Sequence, residues 1–326
     1  MNTEELPKTL HETAVYFATG DNALKFMIEL RWPDGVAQCP RCACRETRFL
    51  ATRSVWECKG CRKQFSVKVG TVFEDSPIKL DKWVCAIWLI ANAKNGISSY
   101  ELHRSLGITQ KSAWFMLHRL RFAMHDGCFE KMSGHIEADE TFIGAKARNM
   151  HAGKRREAVK GRGPVAMTAV MGLLERNTGH PAKKASRVRL HVVSSRKKPE
   201  LQGKVRDYVL KGSEVHTDAL KSYDGLAPDY VHKVVDHAEC YVKDNVHTNG
   251  LENFWSLLKR TIKGTYVCPA PFHLFRYLDE QAFRFNERKD DDQGRFLKAI
   301  KGIVGKRLLY RHLIAQDGAD GLPALA

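Results

Sequence analysis

Acid is what this sequence is short of: 37 Asp and Glu stand against 53 Lys and Arg in 326 residues, a formal charge of +16. Such an excess repels itself unless an anion accompanies the protein. Nucleic acid is the leading candidate; a basic enzyme or a ribosome-associated protein would carry the same charge. Long apolar runs are missing too. The most apolar stretch, Trp83 to Ala93, holds Cys85 and Asn92, and it falls short of the roughly 20 residues a bilayer crossing needs, so no span is expected. The N-terminal MNTEELPKTLHET lacks the basic-then-apolar order of a secretory signal. The expectation is a reducing cytoplasm, at the nucleoid if the partner is DNA, where the nine cysteines would not pair as disulfides. Hydrophobic residues make up 43%, enough for real cores and too many for a disordered polybasic tail. The length suggests two to three domains.

What is present begins with cysteine spacing. Cys39-Pro-Arg-Cys42 and Cys58-Lys-Gly-Cys61 are two C-x2-C pairs with fifteen residues between them, the pattern of a four-cysteine zinc ribbon. The segment between the pairs, RETRFLATRSVWE, alternates as a β-hairpin would. Four thiolates close a tetrahedron and leave no position for water, so the expected Zn²⁺ is one structural ion that supplies folding energy. Cys44 is offset too far from Cys39 for the same tight turn and reads as a free thiol. Cys85, Cys128, Cys240 and Cys268 have no metal spacing and read as packing residues.

From Lys79 to Met124 the periodicity is helical. Trp83, Ile87, Leu89 and Ile90 share a face before Gly96 breaks it. Ser98 or Ser99 can cap SYELHRSL, Gly107 turns the chain, and Thr109 can cap QKSAWFMLHRLRFAM, with Leu117 and Leu120 facing inward. This is helix-turn-helix order, and it presents Gln110 and Lys111 as candidate DNA-reading residues; an ordinary three-helix bundle is the alternative.

The third region carries the acids. HIEADETFIG reads as a strand bearing Asp139, VAMTAVMGLLER and RVRLHVVS as two further antiparallel strands, KPELQGKVRDYVL as a helix, and SEVHTD as a fourth strand ending at Asp218. Three strands, a helix and a fourth strand are the order of an RNase H-like core, in which the end of the fourth strand lies beside the middle of the first. Two carboxylates about 4 Å apart repel by roughly 4 kcal/mol at an effective dielectric near 20, so Asp139 and Asp218 need a cation. Oxygen donors favour Mg²⁺ or Mn²⁺ over zinc. In HTNGLENFWSLLKR, Glu252 and Lys259 stand seven residues apart, which puts both on one helix face two turns apart, followed by Arg260. Glu137 and Glu140 flank Asp139 and are expected to point elsewhere or lie further off; His216 reads as a packed or supporting group on the face of Asp218. Asp224 reads as a turn residue and Asp236 as a weaker acidic rival.

ADETFIG, HTDALKSYDGL and HTNGLENFWSLLKR, in that order behind a CPRC ribbon, resemble the three acidic blocks of bacterial insertion-sequence transposases of the DDE superfamily, the group with an N-terminal zinc ribbon and an ISXO-type, RNase H-like catalytic domain. The resemblance runs nearly the length of the chain. It implies Asp139, Asp218 and Glu252 as ligands of two Mg²⁺ ions and Lys259 as a DNA-contacting partner, with Asn249 and Asn253 as neighbours able to share the role of Glu252. The activity it implies is cleavage at element ends followed by transfer of the 3′-OH strand to target DNA, each step an in-line displacement at the metals. The rivals are a structure-specific nuclease on the same core and a non-catalytic zinc-ribbon regulator.

The expected organisation is a helix and zinc ribbon over 1–75, a helix-turn-helix-like segment over 76–130, an RNase H-like catalytic domain over 131–268, and C-terminal helices over 269–326 packing on the core. The fold class is therefore α/β, a mixed sheet with flanking helices, plus the small ribbon and the helical segment. The stretch from Gly144 to Pro164, with seven Lys or Arg and one Glu, supplies Lys154, Arg155 and Arg156 as further candidate DNA contacts. Joining two DNA ends implies a homodimer or higher oligomer on double-stranded DNA.

Overall fold

Two helices, α1 (Leu10–Phe17), capped by the Thr9 hydroxyl, and α2 (Gly20–Arg31), precede the ribbon. In this computed structural model, residues 6–125, 130–144, 150–158, 167–177, 185–235 and 246–314 are described. The segment between the cysteine pairs forms the expected hairpin, β1 (Thr47–Leu50) against β2 (Val55–Cys58), turning through Ser54 at φ 50°. A third strand that the sequence reading left out, β3 (Gln64–Ser66), pairs with β2. Its Phe65 stacks on Trp56 at 6.0 Å, and Trp32 meets Trp56 edge-on at 5.1 Å. These three rings are most of the apolar matter a ribbon this small can bury.

Helix α3 (Leu80–Asn92) is buried along most of its length. It leads into α4 (Ser99–Leu106), where Ser98 and Glu101 complete a reciprocal capping box, and the left-handed Gly107 (φ 58°) ends the helix. Thr109 caps α5 (Gln110–Met124) by accepting the Ser112 N–H. The caps expected from sequence are thus the ones used.

The remaining elements are β4 (His135–Ile143), α6 (Ala152–Ala158), β5 (Thr168–Glu175), β6 (Arg187–Val193), α7 (Lys198–Tyr208), β7 (Glu214–Asp218), β8 (Val231–Val235), α8 (Asn249–Thr261), α9 (Leu274–Asn286), α10 (Asp292–Lys301) and α11 (Tyr310–Leu313). The second sheet runs β6-β5-β4-β7-β8. β4, β5 and β6 form an antiparallel meander, while β7 lies parallel to β4 and β8 parallel to β7. This is the mixed RNase H-like sheet, extended by one edge strand, β8, that the sequence reading did not name. Side-chain alternation gives the sheet two faces. Ile136 and Ala138 of β4 pack with Met171, Leu173 and α7 residues Leu201 and Val205. Ile143 packs on the other side with Val170, Leu174, and α8 and α9 residues Leu251, Trp255 and Leu278.

The chain divides into two compact units, one holding everything through His125 together with the residues from Asp290 on, the other the chain between. Of the C-terminal helices, α9 packs on β6, whereas α10 packs on α3. The reason is aromatic, since Phe296 of α10 is fully buried and meets Trp88 at 5.3 Å and Phe26 at 5.9 Å. No helix among the described residues is long and apolar enough to cross a membrane.

Candidate active site and metal centre

The two cysteine turns are near copies. The Ala43 N–H bonds the Cys39 carbonyl and the Arg62 N–H the Cys58 carbonyl, while the Cys39 and Cys58 N–H groups bond the carbonyls of Cys44 and Lys63. Ala43 and Arg62 both sit at φ 58°, the left-handed conformation that turns the chain back after each second cysteine. All four Sγ atoms lie within 4.8 Å of one another, with Cys42–Cys58 at 3.5 Å and Cys39–Cys61 at 3.7 Å. A Zn–S bond of about 2.3 Å gives a tetrahedral edge of roughly 3.8 Å, so the thiols fit zinc as they stand. Cys44 Sγ instead faces the Glu46 carbonyl at 3.9 Å, in keeping with a thiol outside the set. Of the cysteines read as packing residues, Cys85 is partly buried and Cys268 exposed; Cys128 and Cys240 lie outside the described residues.

The acids converge on the α8 face of the second sheet. β4 and β7 pair as far as Glu137 and His216; Asp139 and Asp218 each follow two residues on, on the same face by alternation. Burial raises the Asp139 carboxyl above its ordinary value, and the charges of Asp218 and Glu252 raise it further, against the pull of the Trp255 indole. Asp218 and Glu252 are therefore in electrostatic reach of Asp139, although the ligand oxygens of the three do not gather within 4.8 Å of one another. The Asp218 carboxylate accepts the Leu220 N–H at 3.1 Å, which aims it at the strand end. Glu252 lies exposed in the first turn of α8, and Lys259 and Arg260 are exposed further along the same helix. Asn249 and Asn253 are exposed beside Glu252.

Glu140 faces the other way, as alternation requires, and accepts a hydrogen bond from the buried Tyr223 hydroxyl. Burial, then Asp139 and Asp218, push its carboxyl up to about 7, although Tyr223 and Arg196 pull it down. Glu137 departs from expectation: it shares the face of Asp139, two residues back, but is wholly occupied by Arg176 and α8. His216 is buried against Glu214, its Nε2 2.5 Å from the carboxylate. Asp224 follows a short 3-10 turn, as a turn residue would, and Asp236 lies outside the described residues.

Of the candidate DNA contacts, Gln110 and Lys111 open α5 in the other unit. The Gln110 amide donates to Ser99 Oγ at 2.9 Å, and Lys111 Nζ stands 5.2 Å over the Tyr310 ring. Arg155 and Arg156 are exposed on α6; the side chain of Lys154 and much of the Gly144–Pro164 stretch lie outside the described residues.

One site residue escaped the sequence reading. Trp255, buried in α8, donates its Nε1–H to Asp139 Oδ2 at 2.8 Å. It reaches that far because Gly172, the β5 residue paired with Asp139, leaves room for it: a Cβ there would stand 2.7 Å from the indole. A glycine inside an apolar strand was the available signal, since such a glycine often marks a close approach.

Residues 131–286 match the ISXO2-like transposase domain, and residues 18–64 match the transposase zinc-ribbon domain. The chain is also 27% identical over 260 residues to a Halobacterium salinarum protein described as an uncharacterized protein in transposable element ISH50, an overlap of 75% of this chain and 83% of that one. With a four-thiol ribbon, a mixed five-stranded sheet, and both domain matches in the same order, the chain belongs to the insertion-sequence transposases with an ISXO2-like domain and an N-terminal zinc ribbon.

Proposed function

We propose that this transposase cuts DNA at the ends of its element and joins the freed 3′-OH to target DNA, with Asp139, Asp218 and Glu252 as the ligands of two Mg²⁺ ions. The observation that carries the reading is Asp139, a carboxyl held on the sheet by the Trp255 indole and raised first by burial, then by the charges of Asp218 and Glu252. An all-oxygen set under such repulsion fits a hard divalent cation, Mg²⁺ or Mn²⁺. Such ions, once bound, activate the attacking oxygen and stabilise the leaving oxygen of an in-line displacement.

The chain's own groups do the rest. Trp255 fixes the Asp139 carboxylate, and the Leu220 N–H fixes that of Asp218. Lys259 and Arg260 lie along the exposed side of α8, where cations neutralise phosphates leading away from the acids. Gln110 and Lys111, at the start of the second helix of a helix-turn-helix, read the element end; Lys154, Arg155 and Arg156 grip the DNA backbone. Two ends brought to one target call for a dimer or larger assembly, acting where the DNA is, at the nucleoid.

The test incubates the purified protein and its Asp218→Ala variant, with Mg²⁺, on labelled DNA from the flanks of its own gene together with a plasmid. Nicking at a defined end and joining to the plasmid by the wild type alone supports the reading. Cutting without joining would replace it with a nuclease, and binding without cutting with a regulator.

A further inference from the structure

A buried carboxylate that the chemistry does not use stands between β4 and α8. The Glu137 side chain is 1% exposed and accepts hydrogen bonds from Arg176 Nε at 2.6 Å and from the Leu251 N–H of α8 at 2.9 Å. His247 Nδ1 lies 3.5 Å from it. Arg176 also binds the segment just before α8, with Nη2 2.7 Å from His247 Nδ1 and 2.5 Å from the His247 carbonyl. Gly250 completes the enclosure, because a Cβ there would stand 2.8 and 2.9 Å from the two Glu137 oxygens. Thr248, the N-cap residue of α8, makes no capping bond with its side chain. A strand residue therefore does what a cap does, placing negative charge on the first-turn N–H groups.

The spacing gives this contact a second meaning. Glu137 holds Leu251, and Asp139, two strand residues on, is held by Trp255, four helix residues on. Two strand residues advance about 6.6 Å and four helix residues about 6 Å, so two rungs of nearly equal pitch tie α8 along β4. Glu252 lies between the rungs, next to Leu251.

We propose that Glu137, braced by Arg176 and His247, is a positioning residue that fixes the rotation of α8 and so presents Glu252 to the metals held by Asp139 and Asp218. The proposal rests on the reading of those three acids as metal ligands. It predicts that metal affinity depends on residues that touch no metal.

The experiment is Mn²⁺ binding to the full, zinc-loaded chain without DNA, followed by calorimetry and by the electron-spin signal of free Mn²⁺, with urea unfolding of every variant alongside. Glu137→Gln removes the charge. Gly250→Ala keeps every charge and displaces the helix start, so it separates geometry from electrostatics and serves if Glu137→Gln does not fold. Both are expected to weaken Mn²⁺ about 10- to 100-fold while folded. Asp218→Ala is the reference and should abolish binding. If Asp218→Ala loses Mn²⁺ but folded Gly250→Ala binds it as the wild type does, the positioning role is overturned and the ligand reading survives. If Asp218→Ala binds normally, the ligand reading itself falls.

Discussion

Trp255 is a side chain with two tasks that substitution can separate. Trp255→Phe keeps a ring over Gly172 but loses the bond to Asp139. A hydrogen bond to a charged group is worth about 1.5–3 kcal/mol. The expected result is a fall of one to two orders of magnitude in strand cleavage with a smaller change in unfolding midpoint, read by gel assay and urea titration. Glu214 offers a pH test away from the three acids. Burial would raise it, but His216, Lys233 and His135 outweigh burial and hold its carboxyl at about 2, below the ordinary 4.5. A depressed folded-state pKa stabilises the fold above the unfolded value and loses that contribution as pH falls through the folded one. The stability gap between wild type and Glu214→Gln should therefore close as pH falls from about 4.5 to 2, as urea midpoints across that range will reveal.

At the scale of elements, Gly172 is where β5 yields space to α8. Gly172→Ala puts a methyl 2.7 Å from the indole and 2.9 Å from Leu251; crowding of this kind costs about 1–3 kcal/mol. It should appear as a lower urea midpoint and as weaker metal binding, because the helix that moves carries Glu252. In the other unit, Ser98→Ala breaks the capping box of α4 and should cost about 0.5–2 kcal/mol. Much of this level was legible in the residues: Ser98, Gly107 and Thr109 announced the helix pair, and the alternation around Asp139 announced β4. β3 escaped because three residues carry too little periodicity. β8 escaped because VHKVV shows its pattern only once β7 is there to pair with it. Glu137 was expected to point elsewhere than Asp139 or lie further off, although two residues along a strand return to the same face. Its partner Arg176 is thirty-nine residues away, and only the β4–β5 register brings them together.

The ribbon and the catalytic sheet differ in what holds them. The ribbon has three short strands and a few aromatic rings, so its folding energy must come largely from zinc. A strong chelator should release one zinc per chain and unfold residues around Trp56 while leaving the sheet unit intact, as followed by tryptophan fluorescence and proteolysis. The order of domains was readable from cysteine spacing and acidic blocks. The division of the C-terminal helices was not, since nothing local in Phe296 says that its partners are Phe26 and Trp88.

That division matters during synthesis. A ribosome delivers Phe26 and Trp88 early, yet the residue that covers them arrives more than two hundred positions later, after the entire sheet unit has emerged. A nascent or prematurely terminated chain thus holds all three acids while the helical half still has an uncovered aromatic patch, the kind of surface that aggregates. Only a chain translated through Phe296 can close that patch.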